Sequence, residues 1–374
     1  MAFYQDLGIS TVINAKGTFT ALGGALMSDE VLAAMNEAAR CSIDMHELHI
    51  AAGKRLAQLT QNEAAYVTSG CAAALVLAVL AIRNNGDPSG IISFPGHAER
   101  PFEVVMHTAH RIPYDSALAL AGATIRQIGN AQQTFEWELE AAITKETAAV
   151  LYVPGTHLAQ VALPLDVVVA IAHARGIPVV VDAAAQLPPV ENLWSFTRDQ
   201  GADIAVFSGG KALGGPQASG LMVGRTDLIE AARQNGAPYQ RWARALKVGK
   251  EEIAGLITAV SRFVSLDHRA VHQDWLKTVQ SWHAAFEDTP GVIASIEPTN
   301  EAGQPVPRLH LGISNPERAR KVLDFIDASN PRVMVLPDMR NGQPHGLWLT
   351  PEILKAGEPG NVQNVVLSSI DQSK

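Results

Sequence analysis

The chain contains little cysteine and no long apolar segment. Only Cys41 and Cys71 occur among its 374 residues, too few for a disulfide framework, so a reducing, cytoplasmic setting is expected. No apolar run approaches the roughly 18 residues that a membrane-spanning helix needs. Because the first ten residues lack a basic segment followed by an apolar core, export is not expected either.

Excess positive charge is also lacking. The formal net charge is −8 and the pI is about 5.8, so the sequence offers no basic surface for nucleic acid or an anionic membrane. Apolar residues make up 47% of the chain and charged residues 18%, which is typical of a soluble globular enzyme. A chain of this length can bury a large core in two or three structural units.

Clusters of metal ligands are the third absence. His46 and His49 are three residues apart, as are His107 and His110. No cysteine or acid cluster at metal-ligand spacing accompanies either pair, so we predict no metal site.

Alternating strands and helices predict an α/β fold with a mostly parallel sheet. Strands are expected at 64–67, 91–94, 123–126, 149–153, 177–181, 204–207 and 220–224, and the helices between them include 71–83, 136–143 and 167–174, the last capped by Asp166. Long helices and short strands then predict a smaller α+β domain. The expected limits are 1–27 for an N-terminal arm, 28–264 for the large domain and 265–374 for the small C-terminal domain.

A lysine follows one of the predicted buried strands. Residues 204–207 lead into Ser208 and a glycine-rich turn that contains Lys211. The flanks of Lys211 carry no acid to pair with it, and glycines on both sides allow a bulky cofactor to approach the backbone. Lys211 is therefore a candidate for imine formation with an aldehyde, although an ordinary loop lysine would have the same surroundings.

An acid ends another predicted strand. Residues 177–181 run into Asp182, 29 residues before Lys211. Pyridoxal 5′-phosphate (PLP) needs such a pair, a lysine to hold its aldehyde and a carboxylate to keep its pyridine nitrogen protonated. Thr156 and Ser208 also fall at strand ends, where parallel sheets bind ligands. We therefore predict PLP as the cofactor and this edge of the sheet as its site.

The turn before the helix at 71–83 suggests a phosphate site. Amide groups at a helix start are unpaired and the helix dipole is positive there, so Ser69, Gly70 and Cys71 can hold the cofactor phosphate. Strand, small-residue turn and helix also form a common connection in any α/β protein. The Cys71 side chain itself suits small packing at a helix start, and a reactive thiol is the alternative.

Several segments resemble a known family. The chain is similar to fold-type I PLP enzymes, and closer still to the group that contains D-glucosaminate-6-phosphate ammonia-lyase and bacterial selenocysteine synthase (L-seryl-tRNA selenium transferase). The resemblance covers nearly the whole chain, and its most specific segments are 68–70, 181–189, 208–217 and 247–251. It implies an α/β fold of the fold-type I, PLP-dependent transferase kind.

The resemblance also implies residue roles. Lys211 would carry the covalent imine and act as the base at Cα, and Asp182 would pair with the pyridine nitrogen. The residues assigned to the cofactor are Ser69, Gly70, Cys71, Thr156, Asp182, Gln186, Ser208, Lys211 and His110. His110 is one of three histidines, with His97 and His107, that could stack on the pyridine ring. Arg111, Arg244 and Arg308 are assigned to the anionic groups of the substrate, the first two because their segments resemble arginine-containing runs of the selenium transferase.

The resemblance implies a lyase that acts on a β-hydroxy amino acid or an amino sugar acid such as D-glucosaminate or its 6-phosphate, giving a 2-oxo acid and ammonia. The excess of acidic residues, and a chain that begins close to the catalytic part, favour this reaction over one on a tRNA substrate. A racemase or epimerase, a selenium-transferase-like transferase and a non-catalytic homologue are the alternatives. A homodimer or larger homo-oligomer is expected from the resemblance alone.

Overall fold

The computed structural model describes residues 2–87, 89, 102–155 and 158–374. The chain divides into two compact units, a large unit of residues 25–266 and 302–304 and a small unit formed by the remaining segments up to 24, 267–301 and 305–374. The predicted strand at 91–94, His97 and Thr156 lie outside the described residues. We keep 1–27, 28–264 and 265–374 as a proposal for the limits of independently folding domains.

The described strands, in chain order, are β1 (Ile13–Asn14), β2 (Ala64–Thr68), β3 (Glu103–His107), β4 (Thr124–Ile128), β5 (Thr147–Tyr152), β6 (Val179–Asp182), β7 (Ile204–Ser208), β8 (Gly220–Gly224), β9 (Ile293–Glu297), β10 (Arg308–Gly312), β11 (Val333–Met334), β12 (Leu336–Arg340) and β13 (Gln343–Leu349).

The described α-helices are α1 (Ala2–Asp6), α2 (Asp29–Ala39), α3 (Met45–Leu59), α4 (Cys71–Asn84), α5 (Ser116–Leu120), α6 (Glu136–Ala142), α7 (Leu165–His173), α8 (Asn192–Trp194), α9 (Thr226–Asn235), α10 (Lys250–Ser265), α11 (His268–Phe286), α12 (Pro316–Asp327) and α13 (Glu358–Gln372). None of these described helices has the length and apolarity needed to cross a membrane.

Seven of the described strands form the sheet at the centre of the large unit, in the order β2-β8-β7-β6-β5-β3-β4. The five strands from β7 to β4 run parallel, while β8 is antiparallel to both of its neighbours. The sheet is buried on both faces, since alternate residues such as Val180 and Val181 belong to different apolar clusters. Near-continuous apolar strands are what a sheet covered on both faces requires, and the mostly parallel α/β prediction is confirmed.

The small unit contains an antiparallel sheet in the order β12-β13-β10-β9 and a separate parallel pair, β1 with β11. Leu309 and Leu311 are fully buried in its apolar core, together with residues of α11, α12 and α13. Arg308 and His310 alternate with these leucines and are only half-buried. The sheet therefore has one apolar face and one face that carries polar side chains.

Three local expectations differ from the structure. Helix α7 begins at Leu165, after Pro164, so Asp166 lies inside its first turn rather than at the cap; negative charge is favourable there because of the helix dipole. Strand β3 was not expected, because its apolar run is only Val104–Met106, and it gains stability from parallel ladders on both sides. Helix α9 was not expected either, since its sequence is mostly polar with a narrow apolar stripe.

Candidate active site

The carboxyl ends of β2, β6 and β7 meet at one edge of the large sheet. Thr68 and Ser208 both pair with Gly220 in the two ladders of β8. Asp182, the last residue of β6, pairs with Val206 of β7. The sheet therefore delivers the Ser69 turn, the Asp182 carboxylate and the Lys211 loop to the same edge, where ligands of parallel sheets bind.

Close backbone packing fixes the loop that carries Lys211. A Cβ atom added to Gly209 would lie 2.0 Å from Ser219 Oγ, and one added to Gly210 would lie 2.6 Å from Gln217 Cα. The Gly209 N–H donates to the Ser219 carbonyl at 2.9 Å. Glycine is needed here because no side chain fits between the loop and the segment that returns to β8. Half-buried Lys211 thus projects from a backbone that has little freedom.

Asp182 is a buried carboxylate with few donors. Its side chain accepts hydrogen bonds from the Ala184 N–H at 3.1 Å and from Cys71 Sγ at 3.5 Å, both through Oδ1. Burial raises the pKa of Asp182, and the two donors and the positive charge of Lys211 oppose that rise. Lys211 and Asp182 are therefore close enough to interact electrostatically, and no described residue forms an ion pair with either one.

The start of α4 has the features of an anion site. Gly70 precedes the helix with φ of 111°, and no atom lies within 4 Å of the place where its Cβ would be. The first helical hydrogen bond runs from the Ala74 N–H to the Gly70 carbonyl, so the amides before it lie outside the helix ladder. Ser69 Oγ donates to the Leu246 carbonyl at 3.0 Å, which leaves its lone pairs for another donor.

The remaining candidates of the large unit differ in their local contacts. Arg244 opens the short turn Arg244–Leu246, whose last carbonyl contacts Ser69, and its own side chain is exposed. Arg111 is held by Asp115, with Nε 2.5 Å from Oδ2. Gln186, a few residues beyond Asp182, donates its amide to the Ala302 carbonyl at 3.1 Å. Of these side chains, that of Arg244 has no hydrogen-bond or ion-pair partner among the described residues, and its turn contacts the proposed phosphate site through Leu246.

His107 and His110 form a buried ring cluster with Tyr152. Their ring centroids are 4.5 Å apart, and Tyr152 lies edge-on 4.6 Å from His110. His110 Nδ1 accepts from the Val153 N–H, and His107 Nε2 accepts from the Leu163 N–H, each at 3.2 Å. Burial lowers the pKa of His107 to about 4. Both imidazoles therefore serve as acceptors for backbone amides, and a stacking role for His110 stays a prediction.

Arg308 lies in the small unit, on β10. Its guanidinium is 4.0 Å from the centroid of the Trp348 ring, and Nη1 is 3.5 Å from Glu301. The side chain is 12% exposed and its Nε has no hydrogen-bond partner among the described residues. Burial lowers the pKa of Arg308. A guanidinium whose Nε lacks a hydrogen-bond partner suits a carboxylate ligand. The role of Arg308 in substrate binding stays a proposal.

The residues at the sheet edge fit PLP. A buried carboxylate with one oxygen held by two donors can accept a protonated ring nitrogen on the other oxygen. A lysine on a rigid loop lies within electrostatic range of that carboxylate, and a glycine-preceded helix start offers amides for a phosphate. No group of three metal-binding side chains occurs in the part of the chain that the structure describes.

Sequence reasoning missed the Cys71 side chain as a partner of Asp182. It placed Cys71 at the cofactor through its backbone amide, because a helix start is visible in sequence. The thiol contact joins residues 111 positions apart, and only the pairing of β2, β8, β7 and β6 brings them together. The packing of Gln217 and Ser219 against Gly210 and Gly209 was not predicted either, because it depends on how the loop folds back toward β8.

Comparison with known proteins gives consistent results. The chain matches the family model described as SelA, L-seryl-tRNA selenium transferase, over residues 12–287. It is 36% identical to 5'-C-glycyluridine monooxygenase-decarboxylase of Streptomyces sp over 298 residues, 78% of this chain and 72% of that protein. It is 34% identical to D-glucosaminate-6-phosphate ammonia lyase of Salmonella typhimurium over 319 residues, 84% and 83% of the two chains.

Solved structures agree with these matches. A D-glucosaminate-6-phosphate ammonia-lyase structure superposes with a TM-score of 0.83 at 30% identity and covers 99% of this chain and 98% of that one. A serine palmitoyltransferase structure with PLP has the same fold, with a TM-score of 0.62 at 14% identity over 97% of this chain and 88% of the other.

Proposed function

The chain belongs to the L-seryl-tRNA selenium transferase family, and on that premise we propose that it is a lyase that removes a β-hydroxyl group and ammonia from an amino acid or amino sugar acid. It is an enzyme of the fold-type I class, and its cofactor is PLP. The proposed substrates are D-glucosaminate, its 6-phosphate and related β-hydroxy amino acids. The proposed products are a 2-oxo acid and ammonia.

Full-length likeness to the ammonia-lyase structure is the observation that carries the proposal. A match that spans nearly all of both chains includes the strand tips and loops that line the site as well as the core. The Asp182 and Lys211 geometry supports it, since a buried carboxylate and a lysine at adjoining strand ends are what PLP chemistry at Cα requires.

Each proposed role follows from the position of a residue. PLP, when bound, accepts the electron pair left at Cα after a proton is removed. Asp182 keeps the ring nitrogen protonated, and burial strengthens that ion pair because water does not screen it. Amides of Ser69, Gly70 and Cys71, with Ser208, hold the phosphate.

Lys211 attaches the cofactor in the resting enzyme. With PLP bound, the Lys211 amine would be the base that removes the proton at Cα. The rigid glycine loop limits the arc through which this amine moves. The protonated Lys211 would then return a proton to the β-hydroxyl, so that this group leaves as water. Arg111, Arg244 and Arg308 are proposed to bind the substrate carboxylate or a distal anion.

Oxidative decarboxylation is a second candidate. One relative is named a 5'-C-glycyluridine monooxygenase-decarboxylase, and its identity to this chain is as high as that of the ammonia lyase. A PLP site also supports cleavage of the Cα carboxylate bond. The two functions are distinguishable, because oxygen is consumed and carbon dioxide released in one and ammonia with a 2-oxo acid is produced in the other.

The test is a product assay on the holoenzyme. D-glucosaminate, D-glucosaminate 6-phosphate and a panel of D- and L-β-hydroxy amino acids are incubated with the protein, and ammonia, 2-oxo acid, carbon dioxide and oxygen are measured together. We expect equal amounts of ammonia and 2-oxo acid without oxygen uptake. Oxygen uptake with carbon dioxide release would establish the second candidate instead.

Lys211→Ala is the matched variant. We expect loss of the visible absorbance of the lysine-bound cofactor and a fall in turnover of about 10³-fold or more, because both the attachment and the base are removed. Deuterium exchange at Cα without ammonia release would indicate a racemase or epimerase. An unchanged spectrum in the variant would refute the role of Lys211.

A further inference from the structure

We propose that Cys71 is a positioning residue for the cofactor ring, because its thiol donates to Oδ1 of Asp182 and leaves Oδ2 for the ring nitrogen. The inference deepens the proposed function, since it rests on the proposed role of Asp182. It concerns only cofactor binding, so it does not depend on which substrate or reaction the enzyme has.

The geometry gives the two carboxylate oxygens different environments. Oδ1 receives both donors, the Ala184 N–H at 3.1 Å and Cys71 Sγ at 3.5 Å. No described residue donates to Oδ2. Two donors on one oxygen fix the rotation of the carboxyl group about its Cβ–Cγ bond, because rotation would break both contacts. The free oxygen is then held in one direction.

The Cys71 sulfur is the donor and not the acceptor. Burial raises the pKa of Cys71 well above its ordinary value, and the neighbouring Asp182 charge raises it further. The group therefore stays a thiol and keeps its proton. A thiol is a weak donor in water, but in a buried site its bond to a carboxylate is strengthened by the low local dielectric.

If Cys71 served only to fill space, substitutions at position 71 would have the opposite effects. The residues after it in α4 are Ala72, Ala73 and Ala74, so a small apolar side chain suits this turn. If packing alone matters, alanine should be tolerated at position 71 and serine should be the poorer replacement. If donation matters, serine should rescue and alanine should fail.

The experiment compares Cys71→Ser and Cys71→Ala as apoproteins titrated with PLP in the absence of substrate. We expect the alanine variant to bind PLP about tenfold more weakly, the usual scale for a hydrogen bond to a charged group, and the serine variant to stay within about twofold of the parent. Thermal unfolding of each apoprotein checks that both variants fold.

A pH series gives a readout that packing does not move. Loss of the Cys71 donor raises the pKa of Asp182 further, so the ionised carboxylate that binds the ring nitrogen disappears at a higher pH. The pH below which PLP affinity falls should be higher in Cys71→Ala than in the parent. In Cys71→Ser it should equal that of the parent. An alanine variant with the affinity and pH profile of the parent would overturn the proposal.

Thiol labelling supplies an independent measurement. In a Cys41→Ser background, which removes the exposed cysteine, Cys71 is the single thiol of the chain. We expect slow labelling by a maleimide in the apoprotein and strong protection by PLP. A labelling rate that PLP does not change would place Cys71 away from the cofactor and overturn the inference. Failure of the lyase assay would affect neither the PLP titrations nor the labelling result.

Discussion

Two buried aspartates at opposite ends of adjoining strands, Asp182 and Asp203, have very different surroundings. Asp182 ends β6, and Asp203 immediately precedes β7. The Asp203 carboxylate accepts from the Val179 N–H at 2.7 Å, from His173 Nε2 at 2.8 Å and from Arg225 Nη1 at 2.6 Å, using both oxygens. Asp182 has one amide and one thiol, and both contact the same oxygen.

The difference separates a carboxylate that the fold satisfies from one that we propose to bind the cofactor. A buried charge is costly unless it is paired and hydrogen-bonded. Arg225 and the Val179 amide meet that requirement for Asp203 within the fold. For Asp182 the fold supplies fewer hydrogen-bond donors and no ion-pair partner among the described residues, so the carboxylate can bind a cationic ligand. We propose that the protonated ring nitrogen of PLP is that cation, at the sheet edge that holds Lys211.

The comparison predicts its largest effect on activity at Asp182. Asp182→Asn keeps the shape of the side chain but removes the charge that we propose holds the ring nitrogen protonated. We expect turnover to fall by about 10²- to 10³-fold or more, the scale for loss of one preorganised electrostatic group. Folding of the apoprotein should not suffer, because an uncompensated buried charge has been removed. Steady-state kinetics and denaturant unfolding of the same preparation measure both.

An Asp182→Asn enzyme with normal turnover would place the ring-nitrogen partner elsewhere. A variant that is both inactive and strongly destabilised would also contradict the comparison, because Asp182 would then behave as a structural residue.

Asp203 should show the reverse pattern. Asp203→Asn turns an amide N–H toward the Val179 N–H or toward Arg225, and it leaves Arg225 without its buried partner. We expect the free energy of unfolding to fall by about 2 kcal/mol, because an amide cannot accept from all the donors that the buried carboxylate satisfies. PLP affinity of the folded variant should be close to that of the parent. Denaturant unfolding and PLP titration give the two values.

Asp227→Asn is the matched control for Asp203. Asp227 binds the same arginine, with its oxygen 2.6 Å from Arg225 Nη2, but its side chain is 52% exposed. We expect less than about 0.5 kcal/mol of destabilisation, because exposed ion pairs contribute little. Equal losses in the two variants would show that burial is not what distinguishes Asp203.

The contrast between the two aspartates also shows which features of the site could be predicted from the sequence. Asp182 and Lys211 were predicted to lie together because each follows an apolar strand, and the carboxyl ends of parallel strands share an edge. Asp203 precedes its strand, and its partner Arg225 is 22 residues away, so no local pattern joins them. The Cys71 thiol was missed for the same reason, since three strand pairings separate it from Asp182. Sequence periodicity locates strand ends, but it does not specify side-chain partners across a sheet.

The smallest expected effect is a pH dependence of apoprotein stability. Burial raises the pKa of Asp182 above its ordinary value of 3.8, so the protonated form is favoured in the folded state. Its contribution to stability is complete below the unfolded pKa and is lost as the pH rises through the folded one. His49 and His107, whose pKa values are lowered from 6.5 to about 4 by burial, act in the opposite direction and lose their contribution as the pH falls between those values.

Subtracting the unfolding free energy of Asp182→Asn from that of the parent isolates the Asp182 contribution, because the histidines occur in both proteins and cancel. In the apoprotein the difference should favour the parent more at acid pH and the variant more near neutrality. With PLP bound the slope should reverse, since the cofactor requires the ionised carboxylate and stabilises it in the folded state. The same pH dependence of the difference with and without PLP would mean that the cofactor does not bind this carboxylate. Asp182 would then be a structural residue like Asp203.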